Sequence, residues 1–525
     1  MDENESLQLF RLKAFTRDQA ADEQGLLEKS KLVINYAEGL PLALRILGSF
    51  FCGRHVGEWE KALDMLKEDP NNHVFNILKI SYATLNPAEK AMFLDIACFF
   101  NIWGKYEVMQ ILESCGLYAT IGIPSLIKKS LLDEVEVGDY KYIKMHNLIQ
   151  DMVRSIVREE SPGQVERRSR LWYAKDIVQG TDAIEGIVFP CSYDNGITEW
   201  KPNPNAFSNM SRLRILIISC NVSLPFGLKD LPCKLKVLDW YGYPQQTLSL
   251  DAKLDELMEN LKFLDFSHSK QLIEARHLST FPKLERLVLE GCKELVQIDL
   301  SLGQLKGLVE VNFKDCKNLK SLPRELEMAS LREFVLCGCT KVKKLPNFGE
   351  CMENLVVLDV KETSIAELPE SLGSLTNLET LDLRGCQNLV NLPHNIQKLK
   401  CLKVLDIFSC SNLSKLPKSL NENKALEKLD ASGTTITEVP SSVGSLEKLK
   451  KLSLHPNKGL KLPTSIFSVK SLVELDLSQC NIEDGILPSD LSGLSSLWKL
   501  DLSGNNFTNL PIDCISKLLN LRFLI

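Results

Sequence analysis

At 525 residues the chain is too long for one hydrophobic core, so several domains or an extended repeat array are expected. Hydrophobic residues make up 44% and charged residues 25%, with 22 prolines and 28 glycines, which leaves no room for a long disordered tract. A net charge of −6 excludes the strong basic footprint that sequence-independent nucleic-acid binding requires.

The N-terminus, Met1-Asp2-Glu3-Asn4-Glu5, is the opposite of the basic, then apolar, start of a secretory signal. The longest apolar stretch, around Ile96 to Phe100, falls far short of the roughly 18 residues that a membrane-spanning helix needs. A cytoplasmic or nuclear protein is expected, its 16 cysteines reduced. Asn-x-Ser/Thr sequons at Asn4, Asn209, Asn221, Asn412 and Asn506 are the argument for the other possibility, a cell-surface ectodomain.

Residues 1–180 read as helical. Leu26, Leu27, Leu32, Val33, Tyr36 and Ala37 form an apolar stripe ended by Gly39, and Pro41 suits the first turn of the next helix. After the start signal Asn86-Pro87, a helical run extends from Glu89 to Phe100. A short helix over Pro124 to Leu132 precedes two strands, Leu131 to Val137 and Tyr140 to Lys144, around a Gly138-Asp139 turn. Met145, Leu148, Ile149, Met152, Val153, Ile156 and Val157 then keep helical spacing until Ser161-Pro162-Gly163. Helix, hairpin and helix in this order predict a winged helix. Its Lys128-Lys129 are compatible with DNA contact but read more simply as a solvated face.

From Leu213 onward the pattern L-x-x-L-x-L recurs. Strands start at Leu213, Leu235, Leu261, Leu284, Leu308, Leu331, Leu355, Leu378, Leu402, Leu426, Leu449, Leu472, Leu497 and Leu521, at steps of 22 to 26 residues. That spacing is the leucine-rich repeat. Residues such as Leu381 and Leu383 point inward and Asp382 and Arg384 outward. A recurring Leu-Pro after each turn, as in Leu368-Pro369 and Leu392-Pro393, keeps the return arm out of the sheet, because proline cannot donate to a ladder. Cys292, Cys316, Cys339, Cys386, Cys410 and Cys480 share one turn position with Thr363, Thr434, Asn457 and Asn505, where small donors should satisfy turn carbonyls. Zinc is not expected: Cys337-x-Cys339 is too closely spaced, and Cys337 should project outward while Cys339 turns in. The chain stops within its fourteenth coil, whose bare strand edge would favour self-association.

The outward positions are the expected recognition surface. Asp239, Asp265, Asp359, Asp382, Asp406, Asp430, Asp476 and Asp501 form a central column whose simplest role is hydration. Lys361, Arg384, Phe408 and His455 stand in the next column, and Arg384 and Phe408, on consecutive coils, are the residue types that dominate binding hot spots. They are the candidate anchors for a protein partner on the concave face. No catalytic constellation accompanies them. Gly48 to His55 mimics a phosphate loop in spacing alone, lacking its lysine, and the seven histidines include no H-E-x-x-H.

Several segments carry a family resemblance: Leu7 to Phe15 (LQLFRLKAF), Gly39-Leu-Pro-Leu-Ala-Leu44, Ile80-Ser-Tyr82, Phe93-Leu-Asp-Ile-Ala-Cys-Phe-Phe100, Met145-His-Asn147 and Arg168 to Trp172 (RSRLW). With the repeats, they resemble the C-terminal part of a plant TIR-NB-LRR disease-resistance protein. The resemblance implies an α+β multidomain chain: 1–66 as a helical ARC1 remnant, 67–180 as a winged-helix ARC2, and 181–525 as an α/β leucine-rich-repeat solenoid with a curved parallel sheet. It further implies an intracellular immune receptor, or a partial form, that senses a pathogen effector or a guarded host protein and is switched by ADP/ATP exchange. Pro41 would lie against the adenine and His146 would reach the β-phosphate. The TIR domain, phosphate loop and metal-binding aspartate are not found, so nucleotide should bind weakly or not at all and no ATP or NAD chemistry is expected. The family's Met-His-Asp ends here in Asn147, which keeps an oxygen and loses the charge. The competing reading is a non-switching scaffold or decoy that binds a constant host protein.

Overall fold

A computed structural model describes residues 3–15, 23–37, 40–54, 58–59, 79, 81–138, 140–173, 180–189, 207–219, 231–248, 258–457, 459–509 and 512–525. Its contacts divide into two units, one of Met1–Ile217 with Leu235–Val237, the other of Ile218–Lys234 with Leu238–Ile525.

In the first unit, helices Glu3–Ala14, Glu23–Tyr36 and Pro41–Phe51 form the N-terminal bundle. Gly48 permits close packing there, since a Cβ on it would lie 2.7 Å from Cβ of Lys13. The second helix buries Ser30, Val33 and Ile34, with Ala37 just past its end completing an i, i+3, i+4, i+7 face, and leaves Leu32 exposed. The expected stripe was therefore rotated at Leu32; the side chains of Leu26, Leu27 and Tyr36, and Gly39 itself, lie outside the described residues.

Helix Pro87–Asp95 starts as the Asn86-Pro87 pair predicts. Asn86 Oδ1 accepts from the Glu89 N–H at 2.9 Å and the Asn86 N–H donates to Glu89 Oε2 at 3.1 Å, a reciprocal capping box. The helix then widens into a π turn over Ile96–Phe100, all five residues buried, because IACFF has no polar side chain to turn to water. Helices Lys105–Ser114 and Ala119–Lys128, the hairpin Asp133–Val137 and Tyr140–Lys144, and helix Asn147–Glu159 complete the winged helix. Pro124 does not open its helix as expected but sits inside it, because the helix starts earlier, at Ala119. Met145, Ile149, Met152, Val153 and Val157 are buried, whereas Leu148 is exposed. Asp139 lies outside the described residues.

The expected boundary at 181 does not coincide with the first sheet strand. Arg170–Leu171 already pairs in parallel with Gly186–Ile187. A two-residue strand is too short to display the repeat pattern. Both Arg170 and Arg214 reach Asp95, whose side chain is fully buried: Arg170 Nε donates to Oδ1 at 2.8 Å, and Arg214 Nη2 donates to Oδ1 at 2.9 Å and Oδ2 at 2.7 Å. Gly186 packs under Phe99, where a Cβ would come within 2.7 Å of the ring. FLDIACFF thus meets RSRLW through the Asp95 ion cluster, and strand Gly186–Phe189 through the glycine contact.

In the second unit, parallel strands follow in sequence order to Phe523–Leu524. The typical strand has three residues: Val357–Asp359, Thr380–Asp382 and Val404–Asp406 pair with Leu358, Leu381 and Leu405 in register and wholly buried. The return arms contain 3-10 turns such as Glu370–Ser374, His394–Lys398, Ser441–Ser445 and Thr464–Ser468. Pro369, Pro393, Pro440 and Pro463 precede them with extended backbone, where the missing N–H costs no ladder bond.

The turn position behaves as a donor ladder. Cys292, Cys316, Cys339, Cys386 and Cys410 donate Sγ–H to Phe266, Leu289, Phe313, Val360 and Leu383 carbonyls at 3.0–3.2 Å. The thiols reach back to the preceding coil, while Thr363 and Thr434 bond the Val360 and Ala431 carbonyls of their own turns. Burial pushes the Cys339 and Cys410 thiols up to about 12, so they remain protonated donors. Cys337 differs from its expectation: it is 7% exposed, in the outward column but covered.

Candidate recognition surface

The outward aspartates do more than hydrate the sheet. Asp359, Asp382, Asp406, Asp430, Asp476 and Asp501 each accept, through Oδ1, the N–H of the residue two positions on, at 3.0–3.2 Å. Each closes the chain where it leaves the strand, an Asx-type turn that explains why a short acidic side chain recurs. Hydration alone is also wrong for Asp382 and Asp406, which are only 8% and 4% exposed.

What covers these carboxylates is the next column. Arg384 folds onto Asp382, with Nε 3.0 Å from Oδ1 and Nη2 2.6 Å from Oδ2, and approaches Asp406 at 3.9 Å. Lys361 Nζ lies 3.0 Å from Asp359 and 3.9 Å from Asp382, and Lys428 Nζ donates to Asp406 at 2.8 Å. Burial lifts the Asp359 carboxyl above its usual range despite the Lys361 ammonium beside it. Arg384 is therefore less free than its sequence position suggests: part of its charge is already used within the sheet.

Phe408 follows Arg384 on the next coil and is 41% exposed. Lys361, Arg384 and Phe408 line one cleft of roughly 730 Å³. His455 is not in that cleft; its Nε2 lies 3.5 Å from Asp476 Oδ2. The cleft also takes Glu362, Ser364, Gln387 and Asn388, which sequence reasoning passed over. They belong to turns in which Glu362, Gly385 and Ser409 have left-handed backbone (φ 57°, 70° and 58°), carrying the chain off the sheet face and around the cleft. The recurrence of these residues directly after the outward column was the available signal. Another aromatic was missed: exposed Tyr241 lies 5.0 Å from the His268 ring.

Pro41 and His146 belong to the first unit. Pro41 is exposed at the first turn of its helix. That helix meets the winged helix through Arg45 with Asp133 and through Ser49 Oγ with Ser130 Oγ at 2.7 Å. Exposed His146 caps helix Asn147–Glu159, its Nδ1 accepting the Leu148 N–H at 3.2 Å. With Nδ1 accepting, the neutral ring carries its proton on Nε2, which meets no hydrogen-bond partner among the described residues. An open proline face and a free imidazole N–H fit a base and a phosphate in kind. Asn147 is the first residue of the capped helix and is exposed.

The winged-helix domain of Roq1-like disease resistance proteins matches residues 86–161, and leucine-rich-repeat families match residues 377–399 and 447–507. The chain is 35% identical over 539 aligned residues to TMV resistance protein N of Nicotiana glutinosa, covering 97% of this chain and 46% of that protein. It is 34% identical to disease resistance protein RPP2A of Arabidopsis thaliana, covering 68% of this chain and 29% of that protein. Among solved structures, that of a TDR receptor matches with a TM-score of 0.44 at 22% identity, over 69% of this chain and 59% of that one. The chain spans less than half the length of these two disease-resistance relatives.

Proposed function

The chain belongs to the TIR-NB-LRR family of plant disease-resistance proteins, and on that premise we propose that it is all or part of an intracellular immune receptor. In this reading the repeats recognise a pathogen effector or a guarded host protein, and the helical and winged-helix segments couple recognition to an ADP/ATP-dependent switch. The observation that carries it is the cleft in which Lys361, Arg384 and half-exposed Phe408 converge, an aromatic and a cation side by side on the sheet face.

Nucleotide, when bound, supplies the free-energy difference between the two states of the switch. Pro41 would offer its ring to the base and His146 its Nε2–H to a phosphate oxygen. The sequence holds no glycine-rich phosphate loop with its lysine, so this chain alone is proposed to bind ADP weakly and to hydrolyse nothing. Sub-micromolar ADP binding in calorimetry that depended on Pro41 and His146 would contradict that half of the proposal.

The recognition half is tested by placing a photo-crosslinking amino acid at Gln387, in the cleft, and at Lys398, outside it, in protein exposed to extracts of infected and healthy leaf. A partner captured at 387 only from infected tissue, and not at 398, is expected. Equal capture of one host protein from both tissues would favour a constant scaffold or decoy.

A further inference from the structure

On the sheet face almost every cation has a carboxylate. Lys262 pairs with Glu285, Lys314 with Glu290, Lys361 with Asp359, Arg384 with Asp382, Lys428 with Asp406 and Lys451 with Glu474. On the return arms five cations gather without that pairing. Lys320, Arg324, Lys341, Lys343 and Lys344, all exposed, line a cleft of roughly 900 Å³ that contains no carboxylate side chain. Among the described residues, the one acid within ion-pair reach of the five is Glu367, 3.7 Å from Lys344, and both are largely exposed.

The backbone holds the cations together. Glu325–Leu326 pairs in parallel with Asn347–Phe348, and the Asn347 N–H donates to the Arg324 carbonyl at 2.9 Å. The two basic arms therefore lie on adjacent coils about 5 Å apart. Their floor is apolar and rigid, made by buried Pro323, Leu345 and Pro346. Like charges held this close on a fixed backbone repel one another, and a bound anion relieves that repulsion.

We propose that this cleft is a binding site for a small polyphosphorylated anion, its phosphates held by Arg324, Lys341 and Lys343 with Lys320 and Lys344 at the rim. The extent of the basic surface selects the class. On the following coil the equivalent arm carries Glu367 and Glu370, both exposed. A long polyanion or an acidic peptide running along the arms would meet those carboxylates, whereas a compact ligand ends before them. Several phosphates are matched to five cations, and arginine and lysine are the usual side chains for phosphate oxygens.

The test is calorimetry of the full chain with inositol hexakisphosphate as probe. Saturable one-site binding is expected, weakening as salt rises, and Arg324→Glu with Lys343→Glu should weaken it about tenfold or more. The control, Lys398→Glu with Lys424→Glu, makes the same charge change on exposed residues elsewhere and should leave affinity unchanged. Circular-dichroism melts confirm that both variants fold. No binding at about 1 mM probe, or equal weakening in the control, would overturn the proposal. A parallel arm sediments the chain with vesicles containing phosphatidylinositol 4,5-bisphosphate; retention on vesicles without binding of the soluble probe would overturn it in favour of a membrane headgroup.

Discussion

Arg384 has two roles that a substitution would mix. It lines the cleft proposed for recognition, and it pairs with Asp382, which is 8% exposed. Arg384→Ala should destabilise the fold by about 1–3 kcal/mol, since it strips a covered carboxylate of its main partner. In an Asp382→Asn background, where the acceptor for the Arg384 N–H is kept and the charge is gone, most of that loss should vanish. A double-mutant cycle in urea measures the difference, and purely additive losses would show that the pair is not coupled. Phe408→Ala is therefore the cleaner probe of binding.

Asp265 gives a prediction in pH. Burial raises its carboxyl from 3.8 to about 6, outweighing the bonds it receives from Ser267. A carboxyl whose folded value is raised favours the protonated form on folding, so its contribution is fully present below about pH 4 and is lost as pH rises through about 6. Asp265→Asn should thus be more stable than the wild type at pH 7, by up to about 3 kcal/mol, with the gap closing towards pH 4. Urea melts at pH 4, 5.5 and 7 check this, and a gap that widened on acidification would reverse the sign.

At the scale of elements, the inward leucines should outweigh the donor ladder. Leu381→Ala empties a fully buried position and should cost about 2–5 kcal/mol. Cys386→Ser keeps a donor for the Val360 carbonyl, now 3.2 Å from Sγ, and should cost less. A cysteine series more damaging than the leucine series would refute the ladder. Asp95 joins helix Pro87–Asp95 to strand Arg170–Leu171 and to Arg214, the residue before strand Ile215–Ile218. Asp95→Ala would leave two covered guanidinium groups with only the looser Glu185 contacts, at 3.5 and 3.8 Å, and should destabilise the first unit by about 2–4 kcal/mol. An unchanged hydrogen-exchange pattern around Arg170 and Arg214 in that variant would show that the cluster does not hold these elements together.

The same elements show what was legible in advance. The repeat stood out because every inward position demands a buried apolar side chain at fixed spacing, and the helix start at Asn86 because a capping box is local chemistry. Leu32 and Leu148 misled because apolar residues beside a buried face need not belong to it. Arg170–Leu171 was invisible as a strand because two residues carry no period. The cleft was half legible: Lys361, Arg384 and Phe408 fall in one column, but Gln387 and Asn388 enter through left-handed turns that alternation does not describe. The ion pairs that occupy Arg384 and Lys361 depend on side-chain geometry between coils, which no linear spacing encodes.

For the whole molecule, the proposal joins a repeat surface that reads a protein partner to helical and winged-helix segments that respond to nucleotide. Among the described residues no helix is long and apolar enough to cross a membrane. The central claim is that recognition runs through the Phe408 cleft. Its most direct test is calorimetric affinity of the partner captured at Gln387 for the wild type and for Phe408→Ala, with melting temperatures measured alongside. A loss of about tenfold or more with an unchanged melting temperature is predicted; affinity that survives Phe408→Ala in a folded protein would contradict it.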